Sequence, residues 1–141
     1  MRDPRTGERT QVIRNHPMNV LGFYEEAWPA TPGSVGSIRD AVRDVPGPDE
    51  REIVAYLRSG YVLFASMGVV DDVLGSGESI VGGGSLFTDG KWVWRGDLWF
   101  YVTTYHLTLP DEFVTRARAA GFQVPAVGQE RLVELADAVC R

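Results

Sequence analysis

Glu25 and Glu26 stand side by side between Tyr24 and Trp28. Paired carboxylates can share general acid–base work, but sequence neighbours point apart on a strand and splay on a helix. They read better as an acidic, aromatic surface. Asp71 and Asp72, with Glu78, could offer oxygen ligands to a hard cation, yet their spacing is not that of a calcium-binding loop. A solvated loop is the expectation there. Glu25, Glu26, Asp71, Asp72 and Glu78 are thus candidates for one acidic partner-binding face. Trp92 and Trp94 lie two apart and share one face of any strand. They either pack under a helix or form an exposed aromatic platform. Tryptophan anchors interfaces because it buries a large area at low entropic cost, so both join the candidate partner-binding set.

Other reactive types form no recognisable set. The histidines, His16 and His106, are not part of an HxxxH or HExxH pattern. No zinc site is expected. Neither Ser59 nor Ser66 sits in a GxSxG elbow. Gly75, Gly77 and Gly82 to Gly84 lead into a strand, whereas a phosphate cradle leads into a helix N-terminus. They read as turn and bulge glycines, with close backbone approach to a ligand or partner as the alternative. No catalytic residue, cofactor or metal is expected.

The chain has 141 residues, 44% hydrophobic and 23% charged. That composition excludes a wholly disordered chain. A domain of this size buries roughly 68% of the surface its unfolded chain exposes, enough for one core. The net charge of −5 argues against nucleic acid, which needs a clustered basic surface, and suits a basic protein partner. A single cysteine, Cys140, excludes an intrachain disulfide. The polar start, with no apolar run of signal type, predicts a cytoplasmic protein. No apolar stretch reaches the roughly 18 residues that would span a membrane.

These candidates need elements to position them. Residues 1–17 read as a loosely docked arm and 18–141 as one domain. Met18 to Trp28 suits an edge strand or a short helix, and Pro29 to Gly36 a loop. Ser37 caps a short helix over Ile38 to Asp44. Pro48, Asp49 and Glu50 open a helix that runs to Ser59, with Ile53, Val54 and Leu57 on one face. Tyr61 to Met67 reads as a buried strand, and Gly68 to Leu74 extends it past a bulge. Ile80 to Phe87 and Lys91 to Arg95 flank Asp89-Gly90, a strong hairpin signal. Helices follow over Leu98 to Tyr105, Pro110 to Gly121 and Gln129 to Val139. Arg95 and Asp97 suit a local charge pair or a helix cap. The class is α+β: a small antiparallel meander packed with four to five helices as a single layer pair.

Gly82 to Phe113 (GGGSLFTDGKWVWRGDLWFYVTTYHLTLPDEF) resembles small actinobacterial proteins with a TDG-W-WR-DL-YV-Y-LP-F pattern. Some of these look like immunity proteins of toxin systems. The triple glycine and Trp99 are where this chain would depart from the pattern. The resemblance covers Gly82 to Phe113 and, more loosely, Pro48 to Leu57, and implies no catalytic residues. It adds the expectation of a non-enzymatic inhibitor that occludes a toxin, a basic domain facing acidic and aromatic side chains. Two alternatives stand beside it. One is a small-molecule binder or small enzyme with a pocket lined by Trp92, Trp94, Tyr101 and Tyr105. The other is a homodimer that buries its aromatics at a two-fold interface.

Overall fold

The computed structural model describes residues 19–21 and 37–139. Six strands and four α-helices run in the order β1 (Asn19–Leu21), α1 (Glu50–Arg58), β2 (Tyr61–Phe64), β3 (Val69–Asp71), β4 (Ser79–Val81), β5 (Leu86–Thr88), β6 (Trp92–Arg95), α2 (Leu98–Tyr105), α3 (Asp111–Ala119) and α4 (Gln129–Val139). A 3-10 turn over Ile38–Ala41 precedes α1, and Ser37 caps it by accepting from the Arg39 amide. It is shorter than the helix expected to Asp44. Val42 already has an extended backbone.

The main sheet has the order β1-β6-β5-β2, and β3 and β4 form a separate hairpin. The α+β class stands, with three differences in detail. First, β1 runs parallel to β6, with Asn19 opposite Trp92, so the sheet is mixed. Second, the strand expected over Ile80 to Phe87 breaks at Gly82 to Ser85 into β4 and β5, which belong to different sheets. Third, helices cover both faces. Side chains alternate along each strand. Leu21, Trp92 and Trp94 face a core shared with Tyr56, Leu57, Val102 and Phe113. Val20, Leu86 and Val93 face Leu135 and Ala138 of α4. The arrangement is helix–sheet–helix instead of one layer pair.

Local chemistry explains the ends of these elements. Acidic Glu50 and Glu52 lie in the first turn of α1 and Arg58 in its last, each favourable to the helix dipole. Gly60 then turns the chain against Trp94. A Cβ there would stand 2.7 Å from the Trp94 ring, so only glycine permits this approach. Phe113 is fully buried and meets Tyr56, Trp92 and Trp94 with centroids 5.6–5.7 Å away, all near edge-to-face. Such pairs add about 0.5–1.5 kcal/mol each beyond area burial. No helix among the described residues is long and apolar enough to cross a membrane.

Candidate interaction surface

The expected aromatic platform is core. Trp92 is 5% exposed and Trp94 1%. The Trp94 indole donates to the Leu57 carbonyl at 3.0 Å, which satisfies its one polar atom. These two residues hold α1 and α3 onto the sheet and present no face to a partner. The aromatic pocket also dissolves on inspection. Trp94 and Trp92 edge two different cavities, while Tyr101 and Tyr105 stack on each other at 6.1 Å.

The acidic candidates separate as well. Glu25 and Glu26 lie outside the described residues. Asp72 is buried, not a surface acid. It accepts from the Leu74 amide (2.7 Å), the Ser76 amide (3.1 Å) and the Tyr105 hydroxyl. Desolvation pushes its carboxyl up, but the bonds from Ser76, Tyr105 and Leu74 together outweigh that and hold it below the ordinary aspartate value. Asp72 therefore pins the β3–β4 turn to α2. The Tyr101 hydroxyl, which accepts from the Val73 amide at 2.9 Å, is pushed up to about 12, mainly by burial. Asp71 and Glu78 remain exposed at the same end of this hairpin. Asp71 accepts from the Ser79 hydroxyl at 3.0 Å.

Sequence reasoning missed a set of exposed apolar residues. The strand expected to be buried over Tyr61 to Met67 lies at a sheet edge. Val62 is 55% exposed, Phe64 48% and Met67 93%; Val69 and Val81 follow at 57% and 80%. Val69 pairs with Val81 across the hairpin, and Val62 pairs with Phe87 across β2 and β5. Val81 and Phe87 line one cavity beside this exposed apolar ridge. Along the outer hairpin face Val69 and Val81 lead to Asp71 and Ser79, because side chains two apart share a face. The ridge therefore ends in an acidic rim. Beyond its pairing with β5, β2 makes no backbone hydrogen bond to another described residue. Gly60 to Val70 also holds no charged side chain of the kind that usually guards an edge.

Two other clusters are structural. The Asp89 carboxylate is wholly buried and takes four hydrogen bonds, from Tyr56 (2.6 Å), Arg116 (3.0 Å) and the Lys91 and Trp92 amides. Burial first, and then Asp89, raise the Tyr56 hydroxyl far above its ordinary value. Arg95 and Asp97 form the expected local pair at 3.2 Å, so Asp97 bonds to Arg95 and not to the amides of α2. His106 lies 3.0 Å from Glu50 through Nδ1, beside a cleft of about 450 Å³ floored by Ile53, Val102, Leu107 and Leu109. Among the described residues no serine, threonine or cysteine is bonded to this pair. Among the described residues no three His, Cys, Asp or Glu side chains gather as metal ligands. Set against protein-family models, curated proteins and solved structures, the chain finds no match.

Proposed function

We propose that the chain is a non-enzymatic binding protein that acts in the cytoplasm, most concretely an immunity-type inhibitor that occludes a toxin. One observation carries the reading: the exposed apolar side chains of the ridge, Val62, Phe64, Met67, Val69 and Val81, with Asp71 beside Val69 on the outer face of the hairpin. An apolar centre with a polar rim is the anatomy of a protein interface. The fitting partner is a protein whose apolar patch is bordered by lysine or arginine. The acid at the rim and the net charge of −5 would speed its approach, and the ridge would set its residence time.

The test is affinity capture from source-cell lysate with the wild-type chain and with Met67→Asp and Val81→Asp. A stoichiometric partner held by wild type, lost from both variants, and whose toxicity on expression is relieved by the wild-type chain is the expected result. A partner retained equally by the variants, or no partner, overturns the reading. Light scattering of the pure chain should show a monomer; a dimer broken by Val81→Asp would assign the ridge to self-association.

A further inference from the structure

Arg58 ends α1 with its guanidinium 4.3 Å above the centre of the Trp99 ring. Among the described residues this guanidinium makes no ion pair and no hydrogen bond. Stacking on an aromatic face orients the planar group while leaving its N–H donors for an anion. Arg58 stands between two cavities. The outer one, about 670 Å³, sets Glu50 and Glu52 against Arg51 and Arg58, so its acids offset its cations. The one toward the sheet, about 270 Å³, has no carboxylate in its lining. Its walls are the apolar side chains Val81, Phe87, Trp94 and Trp99, with Arg58 on one side and Arg95 on the other. Arg95 is ion-paired to Asp97, so the net positive charge facing the cavity comes from Arg58.

We propose that this cavity binds a carboxylate on a small, flat apolar body, with Arg58 gripping the carboxylate and the aromatic walls holding the body. A phosphate fits less well. The nearby amides do not form an anion nest: Gly96 N donates to Ser85 O at 2.7 Å and Ser85 N to Gly82 O at 3.0 Å. A planar carboxylate needs only the guanidinium fork. The volume lies just below the range of roughly 300–1,000 Å³ common for drug-sized ligands, which favours a small acid or one side chain of a partner.

The experiment is a ¹H–¹⁵N titration of the full chain with benzoate, with benzamide, and with the blocked peptide acetyl-Leu-Glu-Leu-amide. Benzoate or the peptide should move the Arg58 Nε–H and Trp99 indole signals saturably, and benzamide should not. Arg58→Gln, an exposed change at a helix end, should weaken that binding about tenfold or more. Met67→Asp should leave it unchanged, which separates this site from the ridge. Tighter binding of benzoate would point to a free acid as ligand, and tighter binding of the peptide to a partner's carboxylate. Equal shifts with benzamide, no shift with either acid, or benzoate binding untouched by Arg58→Gln would overturn the proposal.

Discussion

The two hairpins of this protein reverse what their compositions suggest. The β5–β6 hairpin carries two buried tryptophans, and its turn acid, Asp89, is buried among four donors. The strands of the β3–β4 hairpin carry only valine and isoleucine as apolar residues. They hide Ile80 but leave Val69 and Val81 to solvent. Aromatic content marks potential contact area, not its direction. What decides direction is the neighbouring layer: β6 sits between β1 and β5 with helices above and below, whereas the β3–β4 hairpin stands apart from the sheet.

Breaking the buried hairpin should have the largest effect. Asp89→Asn keeps the turn but removes the charge that Arg116 and Tyr56 meet. Only the Asp89 side of this pair is wholly buried, and disturbing its buried hydrogen bonds should cost about 1–3 kcal/mol. Urea unfolding should show a loss of that size, and a change below about 1 kcal/mol would mean that Asp89 is not the hub it looks like. The exposed hairpin has a smaller anchor. Tyr105→Phe removes one donor to Asp72 and should cost about 1 kcal/mol. Its mark should be faster hydrogen exchange at Leu74 and Ser76, with the β5–β6 amides unaffected.

The same anchor responds to acid. The Asp72 carboxyl is held below its ordinary value, so its stabilisation is complete above the unfolded value, about pH 4, and is lost as pH falls through the lower folded value. Exchange at Leu74 and Ser76 should accelerate over that interval relative to the buried hairpin; parallel change in both would remove the distinction. The smallest effect on stability belongs to the ridge. Met67→Asp, at a residue 93% exposed, should shift unfolding by less than about 0.5 kcal/mol while abolishing partner capture. A larger loss of stability would place Met67 among packed residues.

Much of the fold was legible from periodicity and punctuation. Leu98 to Tyr105 and Gln129 to Val139 are helices with the expected bounds, and Asp89-Gly90 turns a hairpin with Gly90 at φ 99°. The site was not legible. An apolar run such as Tyr61 to Phe64 looks the same in the centre of a sheet and at its rim, because strand order is absent from the local pattern. The ion pair of Asp89 with Arg116 spans 27 residues, and no local spacing announces it. Asp72 looks like Asp71 in sequence, and only the fold, by bringing Tyr105 to it, buries one as a structural anchor and leaves the other exposed.

The parallel docking of β1 beside β6 also sets an order of events in synthesis. Val20 pairs with Val93, 73 residues later in the chain. The β5–β6 hairpin needs only its own turn, and short-range closure is far faster than closure over such a distance. At about 5–20 residues per second, a ribosome takes roughly 4–15 s to reach β6 after making β1. Through that interval β1 lacks the one strand partner it has among the described residues, so a nascent-chain chaperone would have its best access to it before residue 93 emerges.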